Sequence, residues 1–407
     1  MVFRPAARTD VNRSAILAQL GAHGPASRAD LARLLDVSPA LMTQLTRVLL
    51  ADGLLQELEQ APSQGGRPAR MLGIVSTAGH AIGVKVVLDH VAFVEVGIDG
   101  AVLRSASEPF DASSSTFLAE LTVLLRSFIG GGSDTPVLGI GIGVPGSVDN
   151  QGSGLVDSAQ LGWNKVPLGA TLQRELQLPV LVENNVNALA MAERLYGVGR
   201  RYENFLVVTI GTGIGAGIVV DGAVLRGSSG GAGEVGHIPV GDDGPLCSCG
   251  NHGCLEAYIG EAALLQSARS AGVIGAQGGM PALSAAADAG KPAAVAIFGE
   301  AGHRLGRALA GIVHTLDPEI VIMLGEGTSA WTHWSFEFEL ALRSALMPSR
   351  RQVAVAVENW QDESWAQGAA AIVLATPFDS DGVAGDQGRL VRARLVEQSA
   401  PQDAVGS

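Results

Sequence analysis

Near the start of the chain apolar residues return at helical spacing three times, as Ile16, Leu17 and Leu20, as Leu31, Leu34 and Leu35, and as Leu41, Leu45, Val48 and Leu49. The pattern predicts three short helices. Ser27 followed by Asp30 forms a capping box for the second, and Ser38-Pro39 supplies an N-cap and a first-turn proline for the third. Only Asp36 and Val37 separate these two, which is helix-turn-helix spacing. Gly53-Leu-Leu-Gln-Glu-Leu58 then reads as a strand, leading into a loop through Gly65-Gly66-Arg67-Pro68-Ala69-Arg70, so a winged helix is expected.

In that geometry the third helix enters a major groove, with Thr43, Gln44, Thr46 and Arg47 as the residues that would reach bases or phosphates. Arg67 and Arg70 would enter a minor groove from the wing or linker. A three-helix interaction module is the competing reading. Pro62, Gly65, Gly66 and Pro68 mark a boundary, giving a DNA-binding domain over 1–60, a linker over 61–72 and a large domain over 73–376.

The large domain repeats itself. Asp99-Gly-Ala-Val-Leu-Arg104 and Asp221-Gly-Ala-Val-Leu-Arg226 are identical, and each closes a β-type run with an Asp-Gly turn. The offset lays Val84–Ile98 over Leu206–Val220, which points to a duplicated fold opening twice with a β-hairpin. In the second hairpin Gly211, Gly213, Gly215 and Gly217 leave a bare backbone that could approach phosphate oxygens. The matching positions of the first are Asp89, Val91, Phe93 and Glu95, with no such cradle. Residues 272–291 give no clear pattern, Pro292–Leu316 reads as one long buried helix, and the polar stretch 377–407 is expected to be a disordered tail.

Charge separates the ends of the chain. The whole carries -13, yet residues 1–70 hold eight Lys/Arg against six Asp/Glu, so only this segment could meet a phosphate backbone without strong repulsion. No apolar run reaches the ~18 residues of a membrane span. The start, Met1-Val-Phe-Arg-Pro, lacks an apolar signal core, so a cytoplasmic protein is expected.

All three cysteines fall within eight positions, as Cys247, Cys249 and Cys254, with His237 ten residues ahead of the first. Three thiolates and an imidazole are the complete ligand set of a closed, structural zinc site. An odd count without a secretory context argues against a disulfide. Glu234 and Glu256 flank these residues, where a metal clip would fix them as acceptors for a polyhydroxylated ligand.

Gly231-Ala-Gly-Glu-Val-Gly-His237 followed by Cys-x-Cys-Gly-x-x-Gly-Cys-x-Glu resembles the signature of the ROK family of sugar kinases and sugar-responsive repressors. The resemblance implies an α/β fold in which an N-terminal winged helix-turn-helix, present in the regulators and absent from the kinases, precedes a duplicated actin-like domain of the sugar-kinase, ribonuclease H-like kind. Sugar would bind in the cleft of that domain, with Asn184, Asn185, Glu234, His237 and Glu256 as contacts and His237 also on the zinc. Matched to the family, the first phosphate loop should read Asp-x-Gly-x-Thr, but those positions hold Lys85, Val87 and Asp89, and Glu326 adds an anion in a later nucleotide-side turn. Pro179-Val-Leu-Val-Glu-Asn-Asn185-Val-Asn-Ala resembles the motif whose aspartate is the kinases' general base; Asn185 stands in its place. An amide cannot take the sugar's proton, and a positioned base contributes about 10²–10⁴-fold.

The resemblance therefore implies a regulator, most simply a repressor of carbohydrate genes and not an enzyme. Its partners would be double-stranded operator DNA, a monosaccharide or sugar-phosphate effector, and its own copies in a homodimer or homotetramer. A hexose kinase with an appended DNA-binding domain is the alternative, and a DNA-binding protein controlled by a protein partner is a third.

Overall fold

A computed structural model describes residues 12–13, 15–17, 19–20, 23–58, 70–75, 78–358, 363–376 and 385–399 of the 407. Residues 15–17 and 19–20 are helical, and Ile16, Leu17 and Leu20 are buried. Strand β1 (Ala26–Ser27) leads into α1 (Arg28–Leu34), and α2 (Pro39–Ala51) follows. Both helices begin where a serine can satisfy a free backbone donor: Ser27 Oγ accepts from the Asp30 N–H at 3.1 Å and Ser38 Oγ from the Leu41 N–H at 3.3 Å. Strands β2 (Leu55–Leu58) and β3 (Met71–Ile74) complete an antiparallel sheet in the order β1-β3-β2.

Leu31, Met42, Leu45, Leu49, Leu54, Leu55 and Leu72 share the core beneath these elements, whereas Leu34, expected on the buried side, is 55% exposed. Strand β3 corrects the expected linker. Leu72 pairs with both Ala26 and Glu57, so the N-terminal fold runs through Ile74, and Met71 and Leu72 belong to a sheet.

The chain divides into two compact units, one formed by residues up to Arg201, Ser228–Gly230 and those from Glu363 onward, the other by Tyr202–Gly227 and Gly231–Asp362. In the first, β4 (His80–Val86), β5 (His90–Gly97) and β6 (Val102–Pro109) run antiparallel, followed by α3 (Phe117–Gly130). Strands β7 (Val137–Val144) and, after the small sheet β8 (Ser147–Val148), β9 (Leu155–Ser158), β10 (Trp163–Pro167) and helix α4 (Leu168–Leu176), β11 (Val180–Asn184) add in parallel. Helix α5 (Asn185–Leu195) leaves β11 directly. The order is β11-β7-β4-β5-β6.

The second unit repeats this plan with β12 (Phe205–Ile210), β13 (Ile214–Val220) and β14 (Ala223–Val224) antiparallel, then α6 (Leu255–Ile259), α7 (Glu261–Ser270), α8 (Met280–Asp288) and α9 (Pro292–Leu316). Strand β15 (Ile320–Leu324), helix α10 (Trp331–Ala345) and strand β16 (Ala354–Val357) close it. Its order, β14-β13-β12-β15-β16, has the same pairing directions as the first sheet. Phe298, Leu305 and Leu309 of α9 pack with Trp334, Phe338 and Leu342 of α10 in one core, and α9 occupies the residues its apolar pattern predicts.

The turns of the two lead hairpins differ by one residue. Val86 pairs with Val91 across four residues, whereas Ile210 pairs with Ile214 across three. The first hairpin has no glycine from Val91 to Glu95, where the returning strand of the second carries Gly215 and Gly217.

Helix α11 (Glu363–Ala375) lies on the first sheet so closely that a Cβ at Gly83 or Gly141 would sit 1.9 Å from the carbonyl oxygen of Ala366 or Ala369. The expected disordered tail contains α12 (Gly385–Ser399) instead. Val391 and Leu395 are buried one turn apart, Gln387 Oε1 accepts from the Val180 N–H at 3.2 Å, and Arg394 Nε donates to the Val137 carbonyl at 2.9 Å. No described helix is long and apolar enough to cross a membrane.

Candidate functional site

In the second unit the metal-type residues converge. The donor atoms of His237, Cys247, Cys249 and Cys254 all lie within 4.8 Å of one another, with His237 Nδ1 3.4 Å from Cys247 Sγ and Cys249 Sγ 3.7 Å from Cys254 Sγ. A tetrahedral ion with metal–sulfur bonds near 2.3 Å and a metal–nitrogen bond near 2.0 Å requires separations of about 3.5 to 3.8 Å, which these two match, so the four residues could hold a metal ion. The loop is shaped by backbone bonds: Cys247 N–H donates to the Asn251 carbonyl at 2.8 Å, and Leu255 N–H to Ile238 at 2.9 Å. His252 stands aside, its Nδ1 2.9 Å from the Gly244 carbonyl oxygen.

Around this cluster sit both expected glutamates. His237 turns Nε2 away from the cysteines, 3.8 Å from Glu234 Oε2. Burial raises the Glu234 carboxyl above the ordinary carboxylate range, against the pull of His237 and with a contribution from Glu256. Glu256, in the first turn of α6, spends both oxygens locally: Oε2 accepts from the Ile214 N–H at 3.0 Å and Oε1 from Ser248 Oγ at 3.2 Å. Ser248 was not singled out from the sequence, because a serine between two cysteines carries no motif of its own.

In the first unit Asn184 and Asn185 stand together where β11 becomes α5. Asn184 is the N-cap: Oδ1 accepts from the N–H groups of Val186 (2.8 Å) and Asn187 (3.2 Å), while Nδ2 donates to the Gly146 carbonyl at 2.8 Å. These three bonds give this side chain a structural task at the corner and at the Pro145-Gly146 loop. Asn185 is half-buried beside Gly143. Beneath them Glu183, 2% exposed, accepts from Gln151 Nε2 at 3.0 Å, Asn184 N–H at 2.9 Å and Asn187 Nδ2 at 3.3 Å. Only its place in the Glu-Asn-Asn run signals this residue.

Lys85 is buried, with Nζ 5.3 Å from the Trp365 ring centroid, and Asp89 is exposed and paired with His90 Nδ1 at 2.9 Å, which holds its carboxyl below the usual range.

Of the expected DNA contacts, Thr43, Gln44 and Arg47 are exposed on α2. Thr46 is not: it is fully buried, its Oγ1 donating to the Met42 carbonyl at 2.8 Å and accepting from Arg28 Nε at 3.1 Å. It faces inward because it shares the side of the helix that carries Met42, Leu45 and Leu49. Arg70 pairs with Glu57, which Arg28 also holds at 2.8 Å, and these two arginines keep the Glu57 carboxyl below its usual range. Arg67 lies outside the described residues.

A family model described as ROK family matches residues 82–376. The xylose repressor of Bacillus subtilis (strain 168) is 30% identical over 316 residues, 77% of this chain and 81% of the repressor. The DNA-binding transcriptional dual regulator NagC of Escherichia coli (strain K12) is 27% identical over 373 residues, 89% and 92% of the two chains. Among solved structures, a ROK family transcriptional regulator homologous to the E. coli MLC protein superposes with a TM-score of 0.75 at 26% identity, covering 96% of this chain and all of its own. A ROK family glucokinase from Streptomyces griseus, solved with glucose and AMPPNP, gives 0.64 at 28% identity and covers 99% of itself but 72% of this chain. With a family model over most of its length and a sugar-kinase-like α/β fold that matches along nearly the whole of a regulator, the chain belongs to the ROK family.

Proposed function

We propose that this chain is a sugar-responsive DNA-binding transcriptional repressor of carbohydrate metabolism genes, acting in the cytoplasm without enzymatic activity. Asn185 carries the reading. It stands half-buried at the strand-to-helix corner where a kinase of this family needs a carboxylate, and its amide can bind a sugar hydroxyl but cannot remove the proton. The names and coverage of the repressor relatives support the same conclusion, as does the loss of the phosphate-loop residues at Lys85, Val87 and Asp89.

In this reading the helices and three-stranded sheet of residues 12–74 are a winged helix-turn-helix, and α2 is its recognition helix. Thr43, Gln44 and Arg47 meet operator DNA, joined by Arg67 and Arg70 from the wing side. The two repeated sheets are the halves of an actin-like domain. Asn184, Asn185, Glu234, His237 and Glu256 are the residues that offer hydrogen bonds to a monosaccharide or sugar phosphate in this reading, Asn184 also capping the helix that Asn185 begins. His237, Cys247, Cys249 and Cys254 hold zinc, which supplies a closed structural centre. The loop residues then keep Glu234 and Glu256 in place. A homodimer or homotetramer presents two winged helices to two half-sites, and sugar binding alters their affinity for DNA.

The test is fluorescence anisotropy of the full chain on DNA obtained by selection from random duplexes, titrated with a panel of monosaccharides and sugar phosphates with and without Mg-ATP. A sugar that changes DNA affinity with no phosphorylated product is the expected result. Phosphorylation of any sugar at the rate of an ordinary kinase would overturn the reading in favour of a kinase with an appended DNA-binding domain.

A further inference from the structure

On the DNA-binding reading, we propose that Arg28 is a further contact for DNA phosphates, and that Glu57 competes with the duplex both for it and for Arg70. Arg28, on α1, reaches the other two elements of the N-terminal fold. Its Nε donates to Thr46 Oγ1 on α2 at 3.1 Å, and its Nη2 to Glu57 Oε1 on β2 at 2.8 Å. The second oxygen of Glu57 is taken by Arg70, at the entry to β3. One carboxylate thus clamps two guanidinium groups. In a helix-turn-helix the first helix crosses the phosphate backbone while the second lies in the groove, and a side chain tied to both the recognition helix and the wing strand stands where that backbone passes.

The clamp is open to exchange. The side chains of Arg28 and Glu57 are 30% and 31% exposed and that of Arg70 is 66% exposed, so water and salt reach both pairs, and ion pairs of this kind hold weakly. A phosphate offers a guanidinium the same charge and the same paired acceptors as a carboxylate. It can therefore take the place of Glu57 on Nη2 of Arg28 while Thr46 keeps Nε of the same group in position. The released carboxylate then lies beside the backbone and repels it. If the clamp instead stays closed, neither arginine neutralises a phosphate through the groups it spends on Glu57. By either route Glu57 lowers affinity, and it does so for every sequence alike, because phosphates carry no sequence information.

Fluorescence anisotropy of the full-length chain on a random-sequence duplex, between about 50 and 200 mM salt, tests the proposal. Glu57→Gln should bind about three- to tenfold tighter than the native chain at the lowest salt, with a slope of log affinity against log salt steeper by about 1 to 2. Adding Arg28→Met should remove part of that gain, and Arg28→Met with Arg70→Met all of it. Equal or weaker binding by a cooperatively melting Glu57→Gln protein overturns the proposal, as does a gain that survives the loss of both arginines; if Glu57→Gln fails to fold, Glu57→Ala decides. Those outcomes leave the DNA-binding reading standing, whereas a native chain and a Glu57→Gln protein that both bind no duplex at any salt overturn that reading and the proposal with it.

Discussion

Glu256 Oε2 accepts a hydrogen bond from the backbone N–H of Ile214 at 3.0 Å, joining residues 42 positions apart. Ile214 opens β13 immediately after the glycine turn, and the other oxygen of Glu256 is held by Ser248, which lies between two metal-type cysteines. The cysteine loop and the lead hairpin of this unit are thus one mechanical element, with Glu256 as the link.

Removing the metal should therefore be felt at the hairpin. Chelation, or Cys249→Ser, is expected to raise amide exchange in 211–214 together with 245–256, and to weaken the sugar effect more than DNA binding itself. Ser248→Ala isolates the link, since it should leave metal stoichiometry intact while costing about 0.5–1.5 kcal/mol of local stability. Exchange at 211–214 that ignores both changes would show that the loop and the turn are independent.

How much of this could be read beforehand depends on how local the signal is. The caps at Ser27 and Ser38, the span of α9 and the convergence of His237 with three cysteines all follow from spacing within one short stretch. Strand β3 and helix α12 did not, because among the described side chains each buries so few apolar residues, Leu72 in one and Val391 with Leu395 in the other, that tertiary contacts decide them. Thr46 reads as a base contact because it is one of the early polar residues of the third helix; its partner Arg28 is 18 residues away and invisible to periodicity. The three bonds of Asn184 to backbone are equally invisible to a motif match.

Asn184 and Asn185 should respond oppositely to truncation. Asn184→Ala removes an N-cap and the tether to Gly146, so a loss of about 0.5–2 kcal/mol in unfolding free energy is expected, with sugar response lowered through disorder of the corner. Asn185→Ala should leave denaturant midpoints nearly unchanged and still abolish the response. Equal destabilisation by both would remove the distinction. Asn185→Asp should restore a carboxylate without restoring phosphorylation, because Lys85, Val87 and Glu326 remain.

On α2, exposure separates two kinds of variant. Arg47→Ala should lower DNA affinity across all sequences and reduce the slope of log affinity against log salt by about 1. Gln44→Ala should relax preference at one position of each half-site and cost about 1–3 kcal/mol there. Thr46→Val should instead lower the melting temperature through the lost bonds to Met42 and Arg28, leaving base preference as it was. A changed base preference in a normally stable Thr46→Val protein would place Thr46 at the DNA after all.

The last prediction concerns acid. His80 is 2% exposed, its Nδ1 2.8 Å from Thr135 Oγ1 and its Nε2 3.7 Å from Glu95 Oε1, and Glu95 also accepts from the Ser133 N–H at 3.1 Å and lies 3.3 Å from Arg104 Nη2. Burial lowers the imidazole pKa below its ordinary value of 6.5; Glu95 opposes that shift and Arg104 adds to it. The folded chain therefore keeps His80 neutral at pH values where the unfolded chain binds a proton, so the contribution is complete above about pH 6.5 and falls as pH drops below it toward the folded value. Melting temperature at saturating zinc should decline between about pH 7 and about pH 5.5, and His80→Gln, which keeps a partner for Thr135 and cannot titrate, should decline less steeply. Parallel curves for the two proteins would mean that the acid sensitivity of this sheet belongs to other groups.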